Sequence, residues 1–236
     1  MKFFIAELIG TMILVLLGDG ACANVLLNKS KGKDSGWIVI ATGWGFAVAI
    51  AVYVAGWVSG GHINPAVTIG FIVIGKFTFK ESLPYFAGQF TGAFIGGVLV
   101  WLAYLAHWKA TDDADRKLAV FCTTPAIRKY GCNLLTEIIG TAILLMGVLG
   151  IFNVHNSIGS GIGPYLVGLL VFSIGLSLGG PTGYALNPAR DLGPRIAHWI
   201  LPIPGKRDPD WRYSWVPVIG PIIGSVLGAV LYHIMF

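Results

Sequence analysis

Residues 183–194 read GYALNPARDLGP and residues 59–68 read SGGHINPAVT, so the triplet Asn-Pro-Ala occurs twice. Asparagine is a preferred N-cap of an α-helix, and proline is preferred at its first position. A short apolar segment follows each triplet, at 65–74 and at 188–200. About ten helical residues rise only about 15 Å, half of a bilayer core that is roughly 30 Å thick. These segments are predicted to be half-helices that dip into a membrane and return.

The spacing of the triplets argues for more than helix capping. A single Asn-Pro-Ala is most often an ordinary helix start. Here glycines lie just before both triplets, and they permit the irregular backbone that such a turn requires. Irregular backbone at membrane depth is tolerated only where it is buried or lines a water-filled cavity. Two copies in matching places therefore indicate a passage through the membrane.

The chain consists of two similar halves. Residues 6–11 read AELIGT and residues 136–141 read TEIIGT. In each half a second apolar span, a glycine-rich turn with Asn-Pro-Ala, a short apolar segment and a third span follow. Because three spans are an odd number, the second half is predicted to lie upside down relative to the first. We predict a single transmembrane domain over 1–236, with inverted repeats at about 1–107 and 133–236.

The composition is that of a membrane protein. Of the 236 residues, 55% are hydrophobic and only 11% are charged, whereas a soluble domain has about 25% charged residues. The mean hydropathy is +0.75. Six stretches are apolar and long enough to cross a bilayer, at 3–27, 37–58, 83–106, 134–154, 162–179 and 214–236. The predicted fold is all-α, with six transmembrane helices and two half-helices.

Charge and cysteine content argue against several other classes of protein. The net charge of +5 is carried by loops and forms no basic stripe along a helix, so we expect no nucleic-acid binding. Three cysteines, Cys22, Cys122 and Cys132, are an odd number that does not suit a disulfide framework. Cys122 and Cys132 could pair, but reduced thiols are favoured. The five histidines are scattered without an HExxH motif, so we expect no enzyme, no metal and no cofactor.

The two quoted stretches resemble the signature loops of the aquaporins, the major intrinsic protein family. Asp191, directly after Asn-Pro-Ala-Arg, resembles the glycerol-facilitator or aquaglyceroporin branch. The resemblance covers nearly the whole chain. It implies that the half-helices meet N-terminus to N-terminus at the membrane midplane, and that each subunit of a homotetramer has its own pore. It further implies a passive channel for glycerol and other small uncharged solutes, including water.

The same resemblance implies which residues line the pore. The narrowest region would be formed by Trp44, Gly175, Tyr184 and Arg190. Amide donors would come from the triplets Asn64, Pro65, Ala66 and Asn187, Pro188, Ala189. Carbonyl acceptors would come from Gly60, Gly61, His62, Gly183, Tyr184 and Ala185. Water-selective relatives typically have histidine where Gly175 lies, so a glycerol-sized opening is expected. Tyr184 departs from the phenylalanine expected in this branch and leaves the preferred solute open.

Four acidic residues lie within apolar segments, where an unpaired carboxylate is costly. The resemblance implies that Glu7 and Glu137 support the structure by accepting hydrogen bonds from the loops that hold the half-helices. Asp191 is in the first turn of the second half-helix, where the helix dipole favours an acid, and it adjoins Arg190. Asp19 lies well inside the first span, where it either caps a helix break at 18–20 or lies in an outer vestibule.

His62, directly before the first half-helix, has two interpretations. It is expected to line the pore, and the alternative is a structural histidine whose nitrogens are satisfied by hydrogen bonds.

Orientation is predicted from the resemblance rather than from loop charge. The family has both termini in the cytoplasm, which would leave only Lys2, Lys76 and Lys80 on the inner face of a plasma membrane. Most of the remaining lysines and arginines would lie outside, against the usual excess of positive charge on the cytoplasmic side. Such a positive outer face would attract small anions.

Two alternative functions remain open. The first is a facilitator of undissociated lactic acid or a similar small acid, which the positive outer face would concentrate. The second is an ion-coupled secondary transporter, since these also use inverted repeats and broken helices. A coupled transporter usually needs carboxylates facing its substrate, and the only candidates are Glu7, Glu137 and Asp19.

Overall fold

The computed structural model describes residues 1–159 and 161–236, and in these residues the regular structure is helical. The helices are α1 Lys2–Leu26, α2 Trp37–Ser59, α3 Pro65–Val73, α4 Phe79–Ala103, α5 Leu105–Ala110, α6 Ala114–Phe121, α7 Tyr130–Ile151, α8 Gly163–Leu178, α9 Pro188–Ile200 and α10 Val216–Met235. A short 3-10 turn, Val154–Asn156, follows α7. The predicted all-α membrane fold is confirmed.

Five of the helices, α1, α2, α4, α7 and α10, are long and apolar enough to cross a membrane. The predicted span at 162–179 is shorter than expected. It forms α8, a 16-residue apolar helix, which rises about 24 Å. The helix ends before Gly179, and turns and an irregular segment connect it to α9. The loop predicted between the halves contains two further short helices, α5 and α6.

The half-helices α3 and α9 link the two halves of the chain. In the first half α1 packs against α4, and in the second half α7 packs against α10 in the same way. Helix α3 packs on α10, and α9 packs on α4. Each half-helix therefore lies against the last long helix of the opposite half, which brings residues from both halves to one central region.

Glycines allow the long helices of each half to approach closely. A Cβ atom added at Gly92 on α4 would lie 2.2 Å from the backbone oxygen of Leu8 on α1. One added at Gly224 on α10 would lie 2.3 Å from the backbone oxygen of Ile138 on α7. Any larger side chain at these positions would separate the helices. The glycines at these two positions thus serve packing within the chain.

Candidate conducting pore

The two Asn-Pro-Ala triplets meet through reciprocal hydrogen bonds. Asn64 Nδ2 donates to the carbonyl of Leu186 at 2.9 Å, and Asn187 Nδ2 donates to the carbonyl of Ile63 at 2.8 Å. The side-chain oxygen of Asn64 accepts from Ala66 N at 2.9 Å, so this residue caps α3 as its sequence predicts. Each amide nitrogen has two hydrogens. One is used across the junction, and the second remains for a solute.

Asn187 makes the matching cap of α9. Its side-chain oxygen accepts from the backbone nitrogens of Ala189 at 3.0 Å and Arg190 at 3.2 Å. The N-termini of α3 and α9 therefore point toward a common place, which is the arrangement expected from the sequence. Each helix N-terminus carries about half an elementary positive charge. The junction is consequently unfavourable for cations.

A buried carboxylate holds the irregular segment before α3. Glu7 on α1 accepts hydrogen bonds from Ser59 Oγ at 2.6 Å and Gln89 Nε2 at 2.7 Å. It also accepts from the backbone nitrogens of His62 at 3.0 Å and Ile63 at 2.7 Å. Because the N–H groups of this segment point toward Glu7, its carbonyls are free to face the opposite side.

Glu137 on α7 does the same for the segment before α9. It accepts from Thr182 Oγ1 at 2.6 Å and from the backbone nitrogens of Ala185 and Leu186, both at 3.0 Å. Both glutamates are buried. These hydrogen bonds tie the segment before α3 to α1 and the segment before α9 to α7.

The residues next to the two asparagines adopt a backbone conformation that L-amino acids rarely use. Ile63 has φ of 43° and Leu186 has φ of 56°, and Tyr184 has φ of 41°. Such positive φ angles are uncommon outside glycine and persist only where the surroundings hold them. Here the glutamate carboxylates and the crossing asparagine amides supply that restraint.

A cavity of about 550 Å³ runs along these segments. Its apolar lining includes Leu14, Val48, Val52, Leu144, Val148, Val167 and Val171. Its polar lining includes the side chains of His62, Asn64, Asn187 and Arg190, together with Gly60, Gly61 and Ala185 of the segments before α3 and α9. Trp44, which contacts Arg190, and Tyr184 also line the cavity. The cavity thus offers a few hydrogen-bonding groups within a mostly apolar lining.

Some of the predicted residues lie behind this lining. Gly175 and Gly183 are not among the residues that line the cavity. Gly175 instead lies against Tyr184, since a Cβ added there would be 2.8 Å from the Cζ atom of the tyrosine ring. The prolines and alanines of the triplets are buried in the first turns of α3 and α9. Their place is structural rather than exposed to a solute.

The aromatic and basic residues of the predicted narrow region are in contact. The guanidinium carbon of Arg190 lies 3.9 Å from the centroid of the Trp44 ring. The Trp44 indole nitrogen donates to Cys22 Sγ at 3.4 Å. On the other side, Trp37 packs edge-on against Tyr184, with ring centroids 5.7 Å apart. Sequence reasoning missed Cys22 and Trp37, because only the fold brings them beside these residues.

Asp19 lies in neither of the places that its position suggested. Helix α1 runs unbroken from Lys2 to Leu26, so Asp19 does not cap a helix break. Its side chain is fully buried and does not line a vestibule, and its Oδ1 atom lies 3.9 Å from Arg190 Nη1. The only signal in the sequence was an acidic residue inside an apolar span.

Asp191 forms its ion pair with Arg195 and not with the preceding residue, Arg190. Its carboxylate accepts from Thr123 N at 2.8 Å, Thr123 Oγ1 at 2.7 Å and Arg195 Nε at 2.8 Å. Asp191 therefore ties the loop after α6 to the first turns of α9. The expected supporting role fits this geometry, with Arg195 rather than Arg190 as the partner.

His62 lines the cavity and is also held by a neighbour. Its Nδ1 atom is 3.1 Å from Thr68 Oγ1, and its ring packs against Phe71, Phe77 and Tyr85. The two interpretations of His62 are therefore compatible, because one nitrogen is partnered inside the protein while the residue borders the cavity.

The cysteines are not joined to one another. Cys22, Cys122 and Cys132 are all free, with the first two buried and the third exposed. Within the described residues, no group of three or more histidine, cysteine or acidic side chains could hold a metal ion.

The sequence is similar to known proteins along its length. Residues 1–232 match the model of a family described as "Major intrinsic protein". A protein of Thermotoga maritima named "Probable glycerol uptake facilitator protein" is 66% identical over 236 residues, which is the full length of both chains. The "Glycerol uptake facilitator protein" of Bacillus subtilis is 53% identical over 220 residues, covering 93% of this chain and 80% of its own.

A solved structure has the same fold. The crystal structure of the aquaglyceroporin from Plasmodium falciparum superimposes with a TM-score of 0.87 at 34% identity. The match covers 98% of this chain and 94% of the other.

Proposed function

The chain belongs to the major intrinsic protein family, and from this we propose that it is a passive membrane channel for glycerol and other small uncharged solutes, including water. The observation that carries the proposal is the mostly apolar cavity whose lining includes Arg190 and the junction of Asn64 and Asn187. The relatives named above are glycerol facilitators, which favours glycerol over the small-acid alternative.

The mixed lining of the cavity suits the two sides of a polyol. Glycerol has hydroxyl groups along one edge, and these need hydrogen-bond partners once water has been removed. The free amide hydrogens of Asn64 and Asn187 supply donors, and the carbonyls of the segments that end at Ile63 and Leu186 supply acceptors. The CH groups of the solute lie against the valines and leucines of the apolar lining. The hydrogen bonds that an uncharged solute makes with water are therefore replaced by hydrogen bonds with the protein, and the free-energy cost of entry stays small.

Ions do not have this compensation. A cation reaching the junction meets the positive ends of α3 and α9, and its hydration shell cannot be replaced by the apolar lining. We infer that Trp44, Tyr184 and Arg190 form the selectivity filter, with Gly175 leaving the room that Tyr184 occupies. Arg190 offers fixed donors to the hydroxyl groups of a solute.

The wider setting of the channel is part of the same proposal. We infer that the chain is not an enzyme, since Glu7 and Glu137 serve as acceptors for backbone and side-chain donors rather than facing a reacting group. We infer a single domain with inverted halves, assembled as a homotetramer in a plasma membrane with cytoplasmic termini. Exposed apolar side chains on the long helices are available to lipid and to neighbouring subunits.

The function is tested with purified protein in liposomes. Stopped-flow light scattering should show glycerol and water permeabilities well above those of empty liposomes, with a low activation energy for both. Glycerol flux should rise linearly with glycerol concentration and should not depend on proton or sodium gradients. Saturable, gradient-dependent uptake would instead identify a coupled transporter. Native mass spectrometry tests the tetramer, and protease access to a C-terminal tag tests the orientation.

A further inference from the structure

Asp19 is a buried carboxylate whose partner lies in the filter. The residue is fully buried in the C-terminal third of α1, and neither of its carboxylate oxygens has a hydrogen-bond partner in the described part of the chain. A buried charge without a partner is strongly disfavoured in a membrane. Its nearest cation is Arg190, with Oδ1 and Nη1 3.9 Å apart. This pair is within the range of a salt bridge although too long for a hydrogen bond.

Arg190 has no competing acid. Asp191, its neighbour in the chain, is occupied by Thr123 and Arg195. Among the described residues, Asp19 is the only carboxylate within 4.0 Å of the Arg190 guanidinium. Arg190 Nη1 likewise has no hydrogen-bond partner there. The guanidinium therefore lies between the ring of Trp44 and the carboxylate of Asp19.

The same helix also places Trp44. Its indole nitrogen donates to Cys22 Sγ at 3.4 Å, and its ring lies directly over Gly18, where an added Cβ would be 2.4 Å from the ring. Gly18, Asp19 and Cys22 are adjacent on the helix surface because residues three and four apart share a face. One face of α1 thus contacts both the aromatic and the basic member of the filter.

We propose that Asp19 is a positioning residue of the filter, which draws the Arg190 guanidinium against Trp44 and away from the middle of the passage. Attraction between opposite charges at this separation is strong in a low-dielectric interior. The resulting position of Arg190 sets the width available to solutes larger than water. The inference rests on the proposed function, because it assigns Asp19 a part in selecting among the solutes of that channel.

Loss of the charge would release the guanidinium. Its unpaired Nη1 would then find acceptors among the carbonyls of the polar lining of the cavity, and reaching them would bring the side chain into the passage. Glycerol is wider than water, so its passage would be hindered more. The expected result is a lower ratio of glycerol to water permeability, with less change in the water permeability itself.

The test compares variants in liposomes by stopped-flow light scattering. Asp19→Asn should lower the glycerol-to-water ratio by about tenfold, the factor equivalent to about 1.4 kcal/mol. Asp19→Glu keeps the charge and should stay close to the unmodified protein. Asp112→Asn removes the same charge from an exposed loop position and should change nothing. An unchanged ratio in Asp19→Asn would overturn the proposal.

A double mutant of Asp19 and Arg190 distinguishes an effect through Arg190 from a general effect on the fold. In an Arg190→Ala background, Asp19→Asn should have no further effect on the ratio, because the group it acts through is gone. An equal drop in both backgrounds would overturn the proposal. If Asp19→Asn does not fold, a density map of the unmodified protein in nanodiscs decides. Arg190 stacked on Trp44 with Nη1 toward Asp19 supports the proposal, and Arg190 directed away from Asp19 refutes it.

These outcomes are distinct from failure of the proposed function. Unmodified protein that conducts no glycerol would refute the channel assignment, whereas the density map would still report on the Asp19–Arg190 pair. Unmodified protein that conducts glycerol, with an unchanged ratio in Asp19→Asn, would refute only the role of Asp19.

Discussion

The guanidinium of Arg190 stacks on the indole ring of Trp44, with 3.9 Å between the guanidinium carbon and the ring centroid. The two residues come from opposite halves of the chain, Trp44 from α2 and Arg190 from the first turn of α9. A cation this close to an aromatic face is attracted by its quadrupole, more strongly where water is excluded. The contact fixes a long side chain that would otherwise be free to occupy the passage.

Gly175→Ala should reduce glycerol passage more than water passage. The added Cβ would lie 2.8 Å from the Cζ atom of Tyr184, which is closer than carbon atoms pack. Tyr184 lines the cavity, so its ring would be displaced into the space that a solute uses. We expect glycerol permeability to fall about tenfold, in keeping with an overpacking cost of about 1–3 kcal/mol. Stopped-flow measurements on liposomes with both solutes test this.

Gly180→Ala is the matched control for that change. An added Cβ at Gly180 meets no atom within 4 Å, and its φ angle is not in the left-handed region. Its permeabilities should equal those of the unmodified protein. If Gly175→Ala lowered glycerol and water equally, the size argument would be wrong.

Tyr184→Phe should lower the glycerol-to-water permeability ratio at little cost in stability. The phenolic oxygen is buried and has no hydrogen-bond partner among the described residues, so its removal breaks no contact within the fold. We expect the hydroxyl to reach glycerol when the Tyr184 ring, which lines the cavity, turns toward the passing solute. A hydrogen bond worth about 0.5–1.5 kcal/mol corresponds to a change of about two- to tenfold. An unchanged ratio would remove Tyr184 from the filter.

Asn187→Asp should allow cations to leak. The aspartate oxygen would still cap α9, but its negative charge would offset the positive ends of α3 and α9, which together amount to about one elementary charge. Proton and sodium entry into liposomes, followed with a pH-sensitive dye and by sodium-dependent swelling, should rise well above that of the unmodified channel. Asn156→Asp, at an exposed position outside the long helices, is the control. If the Asn187→Asp channel remained impermeable to protons and sodium, the helix dipoles would not be what excludes cations at this junction.

Glu7→Gln and Glu137→Gln should both destabilise the channel, the first more than the second. Glu7 accepts from four donor groups and Glu137 from three. A glutamine has only one acceptor oxygen and turns an NH₂ group toward backbone N–H groups. Each unsatisfied buried donor costs about 1–3 kcal/mol.

Thermal unfolding in detergent, with glycerol flux as a second readout, measures this effect. The control is Glu81→Gln, which lies at an exposed helix start where glutamine can also complete the capping box with Thr78. A melting temperature unchanged in both buried variants would contradict the assigned role of these carboxylates.

The long helices and the two half-helices were predictable because their signals are local. Apolar length identifies a span, and Asn-Pro marks a helix start, so α3 and α9 begin at Pro65 and Pro188 as expected. The short helices α5 and α6 were missed, since six or eight residues carry too little periodicity to be recognised. Helix α8 lies within one residue of its predicted bounds at each end, a difference within the usual variation of helix ends.

By itself, the sequence determined the membrane class, the two-part order of the chain and the two asparagine-capped half-helices, because hydrophobic length, capping and repetition are properties of short stretches. The pair of Asp191 and Arg195 is also local, since the two residues lie one turn apart on α9. Only the tertiary structure decided the hydrogen bonds between the two triplets and the partner of Asp19, which faces Arg190 from the other half of the chain. A buried charge is stabilised by whichever opposite charge the packed helices bring within a few ångströms, and for residues on different helices separation along the chain carries no information about that distance.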